Sequence, residues 1–126
     1  MPSRILIVDD EPAVANIIEA VLREEGYTVA IARDGAQGIM LARDWSPDLI
    51  LMDVMLPSVD GGTAIKLLKS EPATANTPII AMSAGRTLRE HSGELDDADG
   101  VLSKPFDVES LLVQIAFHLA RRRTAE

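Results

Sequence analysis

No cysteine occurs among the 126 residues, which excludes a disulfide framework and thiolate chemistry and leaves the cytoplasm as the default compartment. No apolar stretch approaches the ~20 residues that cross a bilayer, so no membrane association is expected. The apolar run after Arg4 enters Asp9 and Asp10 rather than a small-residue cleavage site, and it reads as a first strand instead of a signal peptide. Positive charge is short as well: 12 Lys and Arg stand against 20 Asp and Glu, a net charge of −8. That balance argues against the phosphate-neutralising surface of a direct nucleic-acid binder. Length leaves no room for a second folded domain, while 47% apolar residues suffice for one core. The expectation is a single domain over 1–126, its core about 4–121, with 122–126 as a C-terminal tail or a truncated linker.

What the chain does contain is a regular alternation. Residues 4–8 form a short apolar run of the kind buried on both faces of a sheet. Pro12 suits a first helical turn, Val14, Ile17, Ile18, Val21 and Leu22 recur at helical spacing, and Gly26 supplies a stop. Tyr27 to Ala32 is a second strand, and Ala36, Ile39 and Met40 mark one face of a second helix, with Trp45 packing at its end. Pro47 to Met52 is a third strand running into Asp53, and Asp60-Gly61-Gly62 leads to a helix over 63–70. Thr77 to Met82 and Gly100 to Ser103 are the fourth and fifth strands. Val108, Leu111, Leu112, Ile115, Ala116 and Leu119 mark a final amphipathic helix, whose Arg121-Arg122-Arg123 end suits the negative pole of the helix dipole. Five strands and about five helices in βα order predict a doubly wound parallel α/β sheet covered on both faces.

Folds of that kind bind ligands at the carboxyl ends of their strands. Those ends carry Asp9 and Asp10, Asp53, Ser83 and Lys104. Each alone has a structural explanation as a cap, a turn former or a solvated loop residue. Together, three carboxylates on one edge repel one another unless a cation balances them, and an oxygen-only donor set suits Mg²⁺. A carboxylate beside such an ion can attack a phosphoryl group to form an acyl phosphate. Asp53, at the end of the central strand, is the best nucleophile; Asp9 and Asp10 form a metal-binding pair. Lys104 can pair with a phosphoryl oxygen and Ser83 can donate a hydrogen bond to another.

The motifs ILIVDDE at 5–11, LILMDVMLPSVDGG at 49–62, IIAMSA at 79–84 and LSKPF at 102–106 resemble those of response-regulator receiver domains in two-component signalling, and the resemblance spans essentially the whole chain. It implies a flavodoxin-like three-layer fold with strand order 2-1-3-4-5. It implies Asp53 as phosphoacceptor, and Mg²⁺ held by Asp9, Asp10, Asp53 and the backbone carbonyl of Met55. Ser83 and Lys104 would read the phosphoryl group, and the peptide bond before Pro105 would be cis. The implied partners are a histidine kinase or histidine phosphotransfer protein as donor and a downstream effector protein or domain.

The pattern departs from the family at Val101, where receivers usually carry Tyr or Phe that swings with the hydroxyl residue; a β-branched side chain has no ring to move. Ser83 and Val101 are therefore the switch positions to follow. The segment 86–99 holds few apolar anchors and reads as a short helix with a loop, and His91 within it lacks the helical-bundle context of a phosphotransfer site. Two rivals fit less well. An aspartyl-phosphate phosphohydrolase resembles a pattern with a second Asp two residues after the nucleophile, where this chain has Met55, and Asp9-Asp10-Glu11 would repel the phosphate of a flavodoxin-like cofactor. A phosphorylation-independent pseudo-receiver is the principal alternative, because of Val101.

Overall fold

The computed structural model describes residues 2–56, 59–84 and 97–125. Five strands, β1 (Arg4–Val8), β2 (Thr28–Ala32), β3 (Leu49–Asp53), β4 (Ile79–Ala84) and β5 (Gly100–Lys104), form one parallel sheet in the order β2-β1-β3-β4-β5. Four helices are described: α1 (Pro12–Glu24), α2 (Gly35–Trp45), α3 (Gly61–Ser70) and α4 (Val108–Ala125). Alternation along the strands divides the core in two, because successive side chains leave a strand on opposite faces. Ile5, Ile7, Leu49, Leu51, Ile80, Met82 and Leu102 meet α1 and α4 on one face. Leu6, Val8, Ile50, Met52, Ile79 and Ala81 meet α2 and α3 on the other. Burial on both sides explains why β1 and β3 are unbroken apolar runs.

Several boundaries differ from the sequence reading, each for a local hydrogen-bonding reason. Tyr27 is left out of β2 because its N–H donates back to the Leu22 carbonyl at 3.0 Å and closes α1. Pro47 and Pro78 have no N–H for a ladder, so β3 and β4 start after them. The strands run further at their other ends: Asp53 pairs with Met82, and Ser83 and Ala84 with Ser103 and Lys104. Helix α3 starts at Gly61 rather than 63, since the Asp60 carboxylate caps it by accepting from Thr63 N–H at 2.9 Å.

Two expected helix faces are also corrected. Ala36 and Met40 point to solvent, and α2 instead buries Gly35, Gly38, Ile39 and Ala42; Gly38 lets the helix lie directly on Val8, which turns its neighbours outward. Ile17 is 64% exposed, and α1 buries Ala15, Ile18 and Leu22. Trp45 is half-buried at the end of α2, with the Arg4 guanidinium 5.6 Å from its ring centroid. The final helix continues through 122–125, and 85–96, with His91, lies outside the described residues.

Candidate functional site

The carboxyl edge of the sheet is built by where the ladders stop. Asp9 follows β1, and its N–H still bonds the Ala32 carbonyl at 3.1 Å, so its side chain is fixed by backbone rather than by a loop. Asp53 is the last residue of β3, and the chain beyond it is pinned by Val54 N–H to Met82 carbonyl and Gly61 N–H to Val54 carbonyl, both 3.0 Å. A Cβ at Gly61 would stand 2.2 Å from the Asp53 carbonyl oxygen and 2.6 Å from Val54 Cα. Glycine is what allows α3 to begin against the end of β3.

Lys104 ends β5 and draws the pocket together. Its Nζ lies 3.1 Å from Asp53 Oδ2, 3.2 Å from Asp9 Oδ2 and 3.9 Å from Glu11 Oε1. The second oxygens are held by backbone: Glu11 N–H donates to Asp9 Oδ1 at 2.9 Å and Met55 N–H to Asp53 Oδ1 at 3.0 Å. Asp9 and Asp53 are buried, at 0% and 4% exposure, whereas Asp10 and Glu11 face solvent. Burial pushes the Asp53 carboxyl above the usual range, against the Met55 N–H and the Lys104 ammonium, which pull it down; the Asp9 charge adds to the rise. Burial also works against the Lys104 charge, but the Asp53 and Asp9 carboxylates outweigh it and hold its proton more tightly than usual.

Asp9, Asp10, Glu11 and Asp53 can each place one carboxylate oxygen within 4.8 Å of the others. An all-oxygen set, partly open to solvent, matches what a hard divalent ion needs while keeping some of its waters. Glu11 is the member that sequence reasoning left out of the site; the signal was the third consecutive acidic residue, read there only as a barrier to phosphate. Ser83 sits inside β4 at its carboxyl end, and its Oγ is buried with no hydrogen-bond partner among the described residues. A buried hydroxyl without a partner costs about 1–3 kcal/mol, so it marks a place suited to an acceptor. The Lys104–Pro105 peptide bond is cis. Val101 is 41% exposed, away from this cluster of charges, and its carbonyl accepts from Gln114 Nε2 at 3.0 Å. Beside Lys104, Val14, Ile17, Ile18, Pro105 and Phe106 line an apolar groove of about 470 Å³.

With this geometry in place, comparison with known families is decisive: the family model described as "Response regulator receiver domain" matches residues 5–116. The chain belongs to that family. This receiver domain is 41% identical over 119 residues to the DNA-binding dual master transcriptional regulator RpaA of Synechocystis sp., a match covering 94% of this chain and 49% of that protein. It is 34% identical over 122 residues to the DNA-binding response regulator MtrA of Mycolicibacterium smegmatis, covering 96% and 52%. The receiver thus spans about half the length of the curated relatives it matches. Among solved structures, the receiver domain of the sensor histidine kinase PA1611 from Pseudomonas aeruginosa PAO1 superposes with a TM-score of 0.88 at 31% identity, covering 95% of this chain and 99% of that one. That structure is described with a magnesium ion coordinated in its active site cleft. The CheY-like response regulator receiver domain protein of Methanospirillum hungatei JF-1 gives 0.92 at 26% identity over the whole of both chains. Sheet order and helix placement are those of the CheY-like flavodoxin fold.

Proposed function

We propose that this receiver accepts a phosphoryl group on Asp53 from a phosphohistidine of a histidine kinase or histidine phosphotransfer protein, and that the change at Asp53 alters a surface read by a downstream effector. The observation that carries the reading is the convergence of one ammonium on two buried carboxylates, together with a buried hydroxyl that has no partner among the described residues. In the transfer, an Asp53 carboxylate oxygen forms a bond to phosphorus as the P–N bond to the donor imidazole breaks, and the imidazole keeps the electron pair and takes up a proton. Burial leaves the Asp53 oxygens less solvated and more basic, which favours attack. Lys104, already 3.1 Å from Asp53 Oδ2, remains as a point charge for a phosphoryl oxygen, and Ser83 Oγ donates a hydrogen bond to another.

Asp9, Asp10, Asp53 and the Met55 carbonyl would hold Mg²⁺, which supplies positive charge against the phosphoryl oxygens. The donor set fits that role, and the Pseudomonas receiver's magnesium supports it. The apolar groove next to Lys104 favours a protein over a small molecule as the physiological donor, since it offers surface beyond the phosphoryl pocket. Ser83 and Val101 are assigned as switch positions; without a ring at Val101, the readout rests on backbone and helix shifts over β5 and α4. A local charge change acts only by favouring one of two conformers. We take residues 1–126 as one receiver domain with its core at 4–121, acting in the cytoplasm through protein partners. The acidic balance of −8 argues against a nucleic-acid contact of its own, and among the described residues no helix is long and apolar enough to cross a membrane.

Intact-mass measurement after incubation with acetyl phosphate tests this. A single phosphoryl adduct is expected with Mg²⁺, none with EDTA, and none on Asp53→Asn. Full labelling of Asp53→Asn would remove Asp53 as acceptor, and no adduct on the native chain even after rapid quench would favour a phosphorylation-independent interaction module.

A further inference from the structure

Far from the acidic pocket, α4 buries a histidine that the phosphoryl chemistry does not use. His118 lies on the inward face of the helix with Leu111, Ile115 and Leu119, and it is 7% exposed. Its ring rests on the first residue of β5. A Cβ at Gly100 would stand 2.6 Å from His118 Nε2 and 3.0 Å from Gln114 Oε1, so a side chain there would have to push the imidazole or the amide aside. Gln114, one turn earlier, donates from Nε2 to the Val101 carbonyl at 3.0 Å. Residues 114 and 118 share one helix face, and together they clasp the start of the edge strand.

The charges around the ring oppose one another: a carboxylate favours a second proton on it and two cations disfavour one. Asp99, just before Gly100, is already engaged: its Oδ2 pairs with Lys69 Nζ at 2.6 Å and accepts from Ile79 N–H at 2.8 Å. Lys69, near the end of α3, is itself tied to the Ala75 and Thr77 carbonyls. Arg121, on the same helix, sits 5.6 Å from the Phe117 ring centroid, and the Phe117 ring meets His118 edge-on at 5.1 Å. Among the described residues, one committed carboxylate and two cations therefore act on the imidazole.

We propose that His118 is a proton-sensitive latch: its neutral ring holds α4 on the edge strand β5, and protonation releases that contact and loosens the β5–α4 face at Val101. Burial is the main cause that keeps the ring's pKa below its ordinary 6.5, Asp99 pulls the other way, and Arg121 and Lys69 add to the lowering. The sign follows from linkage. A histidine whose pKa is lower in the docked state takes up its proton more readily when undocked, so the docked form is favoured above pH 6.5 and loses ground as pH falls below it. One proton contributes at most about tenfold per pH unit to that equilibrium. Acid would thus bias the same face on which the proposed phosphorylation acts, from the opposite end of the sheet.

The test uses the full chain. Proton titration of the imidazole Cε1 signals by NMR, assigned with His91→Gln, should give His118 a midpoint below 6.5; a midpoint at or above that value overturns the proposal. Amide exchange of 102, 115 and 119, corrected for intrinsic rates, should rise between about pH 7.5 and about pH 5.5 by up to about tenfold. The rise should vanish in His118→Gln, with His118→Leu as a second, apolar replacement. Equal acid sensitivity in these variants, or none in the native chain, also overturns it. The titration is made on a folded His118-containing chain, so it decides the matter even where a substitution at 118 prevents folding.

Discussion

Replacing Lys104 by Met keeps most of the side-chain stem and removes the ammonium that sits 3.1 Å from Asp53 and 3.2 Å from Asp9. Both carboxylates are almost wholly buried, so in the absence of a divalent ion their charges lose their shared partner. Removing one member of a buried ion pair costs about 3–5 kcal/mol, because the remaining charge stays desolvated. Lys104 itself is 20% exposed, and the backbone N–H groups of Met55 and Glu11 still hold one oxygen each, which places the loss nearer ~2–3 kcal/mol. For a chain of this size ~1 kcal/mol moves Tm by about 3–5 °C, so Lys104→Met should melt about 10 °C below the native chain in EDTA. The carboxylates that lose the ammonium are the proposed Mg²⁺ ligands, and the ion then no longer competes with it. Melting by circular dichroism with and without Mg²⁺ should therefore show a larger Mg²⁺-induced rise in Lys104→Met than in the native chain, recovering much of the deficit. An unchanged Tm in EDTA, or a Mg²⁺-induced rise no larger than native, would refute the view that Lys104 holds these carboxylates together.

Ser83→Ala removes a buried hydroxyl that has no partner among the described residues; without phosphodonor its stability should equal or exceed native by about 1 kcal/mol, while the phosphoryl adduct forms more slowly. A loss beyond about 1 kcal/mol in urea unfolding would show that the hydroxyl is bonded after all. Gly61→Ala should cost about 1–3 kcal/mol, since its Cβ meets backbone of Asp53 and Val54 that cannot step aside, and adduct formation should slow because Asp53 is displaced. A Gly61→Ala chain with native stability and native labelling would mean that the start of α3 does not position the site.

The order of elements was legible in the sequence because each strand is an apolar run buried on both faces and each helix carries its own stop or cap, signals that act over a few residues. The polar residues at the strand ends were legible for the same reason: a run such as 49–52 ending in Asp53 places that carboxylate at the sheet edge whatever surrounds it. Helix faces were read less well. Met40 and Ile17 fit a helical stripe, but Gly38 against Val8 sets the rotation of α2, and α1 turns Ile17 toward the groove beside Lys104. Periodicity counts apolar positions without knowing how closely a helix can approach its sheet. Which atoms meet was decided only in three dimensions. The contact of Lys104 with Asp9 and Asp53 spans 95 and 51 residues, the clash that requires Gly61 is with the backbone of Asp53 and Val54, and His118 is buried where the last helix packs against Gly100 of β5. The sequence determined the sheet, its direction and the chemistry available at its edge, because those follow from local hydrogen bonding and side-chain alternation. The pairing of charges, the burial of the Ser83 hydroxyl and the buried imidazole emerge only once the chain is folded, because desolvation depends on every element packed around a group.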